Sequence, residues 1–437
     1  MAHLLPHQSP SINGFTMMKK FLLVGDYNEG TGFHRVVRHI KNAIIPHFEL
    51  HHVGIGYHGE VFTDEDGTVI YPETSATGGE MGHKHISRLI DELEPDVFFI
   101  IYDIVFIRFL LQALRHKKRT ILTGAYLALD GEITKRRKMI APLKALDFCV
   151  FYTDYAHHQI QNLLREQPSL LSRPVDFSVI PHGVDTSLFY PLANDNHQKR
   201  LRARTSVFPR LNDPEKAFIV LNANRPTSRK RIDTTLLAFS AFAKGKSSDE
   251  VKLYLHQTFH HGVLHSATRR LIEKLELEPY LLEGPLDAQH PIVDNEQLNL
   301  IYNACDVGIN TCMGEGWGMV SCEHGATRSA QLLPRHTSFP EIWNDAAAWV
   351  THVGEVEVGY TSHRMYQLDP SQVAHRLDVL YHNRDIREAY ADRAYETMRQ
   401  KQYDWTHIEK RWEALFLQYS KRHRRASPAE AFITSSN

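Results

Sequence analysis

The chain has 437 residues, with 50 Lys and Arg against 51 Asp and Glu, 28 His and only 4 Cys. Single cores stop growing near ~250–300 residues, so this length implies two domains of roughly 200 residues each. A net charge of −1 excludes the basic excess of a dedicated nucleic-acid binder, and 42% hydrophobic with 23% charged residues excludes disorder over most of the chain.

Residues 1–18 carry Pro6, Ser9, Pro10, Ser11 and Asn13 without a long apolar block, which predicts a flexible tail and no secretory signal. Residues 20–25 (KFLLVG) form a short apolar run bounded by charge and glycine, the pattern of a fully buried strand. A glycine-containing loop follows at 26–33 (DYNEGTGF), then helical spacing of Val36, Val37, Ile40, Ala43 and Ile44. Strand, glycine loop and helix open a βαβ unit. The alternation continues with strands at 48–55, 97–102, 119–122, 148–152 and 178–180, and helices at 83–93, 106–115 and 156–164. The apolar stretch 97–114 contains Asp103 and Arg108, so it reads as buried strand, turn and helix, not a membrane span.

A second series follows Pro191. Residues 193–213 are polar and predict an irregular turn or short helix. Strands are expected at 218–222, 251–255, 280–282 and 307–311, and helices at 234–242, 267–275, 296–303 and 319–326. Residues 371–418 read as two or three helices and 421–437 as a flexible tail. The expected fold class is α/β, with a parallel doubly wound sheet in each half. The divisions are 19–182, 183–405, and a helix 406–420 crossing back to the first domain. Cys149, Cys305, Cys312 and Cys322 form no C-x-x-C pair and read as core fillers in a reducing, cytoplasmic compartment.

Two segments carry chemistry. Residues 314–323 (GEGWGMVSCE) lie between a strand and a helix. Glycines 314, 316 and 318 let backbone approach a ligand, and the free N–H groups at the helix start suit a phosphate. Glu315 precedes the helix and Glu323 lies about one turn inside it. A capping loop with two solvated acids is the plain alternative. The second segment, 222–233 (NANRPTSRKRID), clusters Arg225, Arg229, Lys230 and Arg231 where a strand ends. Guanidinium and ammonium groups there match a diphosphate, since uncompensated positive charge at a helix start opposes the macrodipole.

On these residues the chain resembles the retaining glycosyltransferases of the GT-B fold, family 4. EGWGMVSCE is similar to their E-x7-E motif, Arg225 and Lys230 to their basic pair, and residues 180–191 (IPHGVDTSLFYP) to their interdomain segment. NRPTSRKRID with YNACDVGIN also resembles a virus-encoded branch that uses GDP-mannose. The resemblance implies two Rossmann-like domains facing across a cleft, an N-terminal acceptor domain and a C-terminal donor domain. It implies that Arg225 and Lys230 bind the donor diphosphate and that Glu323 accepts from ribose hydroxyls. Glu315 would contact the transferred sugar, and the donor would also meet Gly316, Trp317, Gly318, Met319 and Val320. Gly30 and Gly32 would face the donor phosphate, and Asp130 would lie near the sugar. The implied reaction is transfer of a sugar, mannose first, to a hydroxyl acceptor on a glycan, lipid or small molecule. GDP-mannose is the preferred donor and a UDP-sugar the alternative, with no metal or other cofactor. A nucleotide-sugar epimerase of the same fold and a catalytically silent nucleotide-sugar binder are the rival readings. The sequence departs from the family after Glu323, where HGATRSAQ places Arg328 at or beside the usual proline.

His256, His260, His261 and His265 raise the question of metal, but no Cys or convergent acid lies nearby in sequence. The basic runs at 115–119, 135–138 and 421–425 read most simply as solvated faces, with peripheral membrane contact as the alternative.

Overall fold

A computed structural model describes residues 18–74, 82–115, 120–257, 263–285, 292–359 and 361–426, without the side chains of 263–265 and 423–426. The first half places β1 (Lys19–Asp26), α1 (Gly32–Ile44), β2 (Phe48–Ile55), β3 (Phe62–Thr63), β4 (Val69–Pro72), α2 (His83–Leu93), β5 (Val97–Asp103), α3 (Ile107–Leu110), β6 (Leu122–Ala128), β7 (Glu132–Ile133), α4 (Arg136–Ile140), β8 (Phe148–Phe151), α5 (Asp154–Glu166) and β9 (Asp176–Val179). Eight of its strands form one sheet in the order β3-β4-β2-β1-β5-β6-β8-β9, parallel except for the β3–β4 pair. The central strands read as continuous apolar runs because helices cover both faces; Phe21, Leu22, Leu23 and Val24 are all fully buried.

The second half runs α6 (Asn196–Val207), β10 (Phe218–Asn222), α7 (Ile232–Ala243), β11 (Val251–Leu255), α8 (Val263–Lys274), α9 (Asn295–Ala304), β12 (Val307–Ile309), α10 (Met319–Ala326), β13 (Ala330–Pro334), α11 (Phe339–Trp343), β14 (Ala348–Val350), β15 (Gly354–Val358), β16 (His363–Gln367), α12 (Pro370–His382), α13 (Arg384–Met398) and α14 (Trp405–Ala426). Its sheet, β11-β10-β12-β13-β14, is wholly parallel. A small antiparallel sheet, β15-β16-β7, joins the halves, with His363 paired to Ile133.

Helix α14 returns to the first sheet. Phe416 meets Phe21 with ring centroids 5.1 Å apart, Trp412 meets Phe99 at 5.7 Å, and Arg411 Nη2 donates to Val179 O at 2.7 Å. Trp405 stacks on His39 at 4.1 Å, so the last helix clamps the first. Among the described residues no helix is long and apolar enough to cross a membrane.

Several expectations need correction. Of the turn or short helix expected over 193–213, the helix forms and is longer than expected: α6 runs twelve residues and is capped by Asp195, whose side chain accepts from Gln198 N. Its buried side is charged, with Lys199, Arg200 and Arg204 all inside, so hydrophobic periodicity could not reveal it. The strand expected at 119–122 begins at Leu122 and continues to Ala128. Only one helical turn forms at α3, and a 3-10 turn at Leu111–Leu114 completes the helix expected over 106–115. The strand expected at 280–282 reduces to a 3-10 turn, Glu278–Tyr280, and one bridge between Leu253 and Leu281. The tail expected from 421 is still helix to Ala426; the rest of it, like residues 1–17, lies outside the described residues. The strands β3, β4, β7 and β13 to β16 were not anticipated.

Three buried imidazoles shape the pH response. Burial pushes His52, His182 and His324 down to about 3, and Lys199 adds to the effect on His324. The unfolded chain titrates them near ~6.5, so it binds more protons than the folded chain between about 3 and 6.5. Folding stability is therefore full above about 6.5 and falls as the pH drops. Asp103, raised to about 7 by burial and by Asp130, and Asp130, itself raised by burial, act in the opposite direction, but His256, His336 and His363, lowered by burial to about 4, add to the three imidazoles. The urea midpoint should be clearly lower at pH 5.0 than at pH 7.5; equal midpoints would contradict three neutral buried imidazoles.

Candidate active site in the cleft between the sheets

The C-terminal ends of β1, β5, β6, β10 and β12 face one cleft, the place where open parallel sheets bind ligands. Two adjoining cavities of about 210 and 460 Å3 share Gly30, Thr31, Gly32, Ala223, Arg225, Met319 and Val320. Together they match the size of small-molecule sites.

On the first-half side, the loop after β1 is held by Asp26, which accepts from Asn28 N at 3.0 Å and from the Thr31 hydroxyl at 2.5 Å. Thr31 then caps α1, accepting from His34 N at 3.0 Å. This aims the α1 N-terminus at the cleft, with Gly30 and Gly32 on its wall. On the second-half side, Gly318 starts α10 at φ +89° without a side-chain cap. An L residue is strained there, and the free N–H groups of the α10 first turn lie beside Met319 and Val320 on the same wall. Gly314 sits closer still to the first half: a Cβ there would lie 1.9 Å from Asp130 O.

The acidic and basic residues are interlocked. Lys230 Nζ donates to Asn224 Oδ1 at 3.0 Å and to Glu315 Oε2. Arg229 spans the halves, with Nε 3.2 Å from Asp130 Oδ2 and Nη1 3.4 Å from Glu315 Oε1. Glu315 is buried, which alone would raise it, yet Lys230 and Arg229 hold it down at about 2. Asp130 is raised by burial and Glu315 against the pull of Arg229, while the same two acids raise Arg229 over the cost of its own burial. Arg225 is exposed, lines both cavities, and its guanidinium makes no hydrogen bond or ion pair among the described residues. The expected pair is thus divided: Lys230 is held in place and Arg225 is free to take an anion.

Glu323 is buried on α10 and reaches the larger cavity. Arg35 of α1 pairs with its Oε1, and Tyr302 OH donates to Oε2 at 3.0 Å. Gly316, Trp317, Gly318, Met319 and Val320 all line the smaller cavity with Asp130 and Glu315. The two cavities therefore share among their walls Gly30, Gly32, Asp130, Arg225, Lys230, Glu315, Glu323 and residues 316–320, whereas Arg231 pairs with Asp233 and lines neither.

Residues missed from sequence also stand here. Arg229 belonged to the basic cluster but was given no separate place. Asp103 was noted only as an interruption of an apolar run, although an acid at the C-terminal end of a buried parallel strand is itself a signal. Asn224 and Arg35 carried no motif. His182, in the segment IPHGVD, lines the smaller cavity. Tyr126 OH donates to Ile180 O at 2.7 Å, so at 2.8 Å it accepts from His182 Nδ1, leaving Nε2 as an acceptor. Arg328 adopts φ +61° after α10, a value proline cannot take, and donates from Nε to Asp392 at 2.5 Å.

Of the histidine cluster, His256 lines the larger cavity and its Nδ1 lies 2.9 Å from Tyr254 OH. His260, His261 and the side chain of His265 lie outside the described residues. Among the described residues no three His, Cys, Asp or Glu side chains group as metal ligands. Of the basic runs, Arg136 pairs with Glu166 at 2.6 Å and Lys138 Nζ donates to Ser362 at 3.1 Å. All four cysteines are free and buried, and burial raises the Cys322 thiol, so it packs instead of reacting.

No family model and no curated protein matches the chain in sequence. Solved structures do match its shape. The sucrose-phosphate synthase from Thermosynechococcus elongatus aligns with TM-score 0.70 and 14% identity, over 92% of this chain and 100% of that one. A trehalose-6-phosphate protein from E. coli bound with UDP-2-fluoro glucose aligns at 0.64 and 13%, over 92% and 99%. The α,α-trehalose 6-phosphate synthase from Burkholderia multivorans aligns at 0.64 and 14%, over 94% and 100%. None of these three descriptions mentions GDP or mannose. At such identities the likeness shows architecture: the chain has the GT-B fold, two Rossmann-like domains facing across a cleft.

Proposed function

We propose that this protein is a retaining glycosyltransferase of the hexosyltransferase kind, moving a sugar from a nucleotide donor to a hydroxyl acceptor. One observation carries the reading. Arg225 and Lys230 meet Glu315 and Glu323 in a single cleft, opposite a glycine loop from the other half. A silent binder has no need of that full set.

In this reading the donor lies mainly on residues 183–405 and the acceptor on 19–182, with helix 406–420 tying the two. Glu323 and Tyr302 mark the ribose end, while Arg225, Lys230 and the α10 N-terminus take the diphosphate. As the bond from the anomeric carbon to the diphosphate oxygen breaks, negative charge grows on that oxygen, and the two cations stabilise it. The acceptor oxygen bonds to the anomeric carbon on the same face, and its proton passes to the leaving diphosphate. Glu315 and Asp130 contact the transferred sugar.

A UDP-linked sugar is the first donor to test, because a structural neighbour is described with UDP-2-fluoro glucose and others as UDP-forming. Retention is likewise the stated outcome in a trehalose-6-phosphate synthase neighbour. GDP-mannose, suggested by the sequence resemblance, is the second. Sugar phosphates lead the hydroxyl acceptors, since the neighbours are named for sucrose-phosphate and trehalose-phosphate synthesis. A thermal-shift screen of UDP, GDP, ADP and their sugars, with and without EDTA, tests the reading, because a ligand stabilises the folded state according to its affinity. A shift with one nucleotide family, unchanged by EDTA, is expected; no shift with any would remove the nucleotide site.

Glu323→Ala should raise the donor KM by the loss of charged hydrogen bonds worth ~1–3 kcal/mol, with less effect on kcat. An unchanged donor KM would take Glu323 out of the ribose site.

A further inference from the structure

At the opposite, N-terminal ends of β10 and β12 lies a second cavity, of about 150 Å3, remote from the cleft in the same sheet. It is lined by Arg200 and Arg204 from α6, by Arg384 and Arg387 from α13, and by Lys216 and His197. Glu215 also lines it and is exposed, while the buried and half-buried acids beside it are already paired. Asp306 accepts from Arg204 Nη2 at 2.5 Å, from Ile219 N at 2.8 Å, and faces Arg200 Nε at 3.2 Å. Glu388 takes Arg200 Nη2 at 2.5 Å, and Asp213 takes Lys216 at 3.1 Å.

Arg387 is the anomaly. It is about nine-tenths buried, and its Nε has no hydrogen-bond partner. Only Nη1 is used well, donating to Leu380 O at 2.7 Å, and no acid pairs with it. A buried guanidinium left partly unpaired costs free energy unless a counter-charge arrives, and burial indeed lowers its affinity for its proton. Arg384 beside it is exposed, with no ion pair among the described residues, and it opens a fifteen-residue helix that no side chain caps. The Arg384 and Arg387 side chains, at the start of a helix whose first turn also carries Asp385, border a space too small for a nucleotide.

We propose that this cavity binds a tetrahedral oxyanion, inorganic phosphate or the phosphate of a small phosphomonoester, independently of the donor cleft. Its occupant would tie α6 to α13. Helix α6 also supports the end of α10, because Lys199 Nζ donates to Thr327 O at 2.8 Å and to Arg328 O at 2.6 Å.

Isothermal titration of the full chain with phosphate, against potassium chloride at matched ionic strength, tests this. Because the donor cleft also attracts phosphate through its free Arg225, the titration is made in Arg225→Ala/Lys230→Ala protein, then in that protein with Arg384→Gln and Lys216→Gln added. These last two side chains are exposed, so their loss leaves the fold intact. Saturable binding is expected in the first protein, weakened about tenfold or more in the second by the loss of charge-assisted contacts. Glycerol 3-phosphate is the third arm: binding at least as tight as phosphate assigns a phosphomonoester, and weaker binding assigns the free ion. Binding no stronger than that of chloride, or equal in the two proteins, would overturn the proposal. So would phosphate binding by wild-type protein that vanishes with Arg225→Ala and Lys230→Ala alone, since the anion would then sit in the cleft.

Discussion

Replacing Lys230 by alanine is expected to lower glycosyl transfer by at least ~100-fold, the scale of one lost preorganised contact to a developing oxyanion. The loss should fall mainly on kcat, because Lys230 is already positioned by Asn224 and Glu315 before donor arrives. Preorganisation of this kind means that little reorganisation remains to be done at the transition state. The variant should stay folded, since Arg229 still faces both Glu315 and Asp130. Arg225→Ala should weaken donor binding more evenly, because that guanidinium is exposed and must be ordered by the ligand. Turnover near wild type in Lys230→Ala, with a normal melt, would remove the lysine from the diphosphate site.

The largest effect on stability is expected outside the cleft. Asp306 is buried and compensates Arg200 and Arg204 together, while also accepting from the backbone of β10. Burial alone would raise its pKa, but Arg204 and Arg200 hold it below the ordinary carboxylate value. Asp306→Ala leaves two buried guanidinium groups short of a partner, which costs ~3–5 kcal/mol when one side of a buried pair is removed. A fall in urea midpoint of that size is expected. A change below about 1 kcal/mol would mean that Glu388 and the carbonyls of Ala304 and Pro214 suffice for the two arginines.

These two sites show what the sequence could and could not display. The cleft was legible because its parts are local: Gly314 to Glu323 lie on one strand–loop–helix unit, and Arg225 to Lys230 on another. Short-range spacing maps directly onto geometry in such units. Partners supplied from the other half were not legible. Arg35 reaches Glu323 across 288 positions and Arg229 reaches Asp130 across the cleft, so neither pairing has a sequence period. Helix α6 was hidden for a different reason. It buries Lys199, Arg200 and Arg204 where a helix face ordinarily carries apolar residues, so its inward side looks like solvent. The short strands β7 and β16 escaped because they pair between halves, and a two-residue strand leaves no pattern of its own.

The near-neutral charge of the whole chain likewise concealed local imbalance: a free Arg225 in the cleft and an under-compensated Arg387 behind it.

Donor cleavage without acceptor tests the proposed chemistry most directly. Wild-type protein incubated with UDP-linked and GDP-linked sugars should slowly release one nucleoside diphosphate to water, retain the anomeric configuration in the first-formed sugar, and lose this activity in Lys230→Ala. Tight nucleotide-sugar binding with no diphosphate released, in water or with any sugar-phosphate acceptor, would contradict an enzyme and leave a binding protein; an inverted first-formed product would contradict retention.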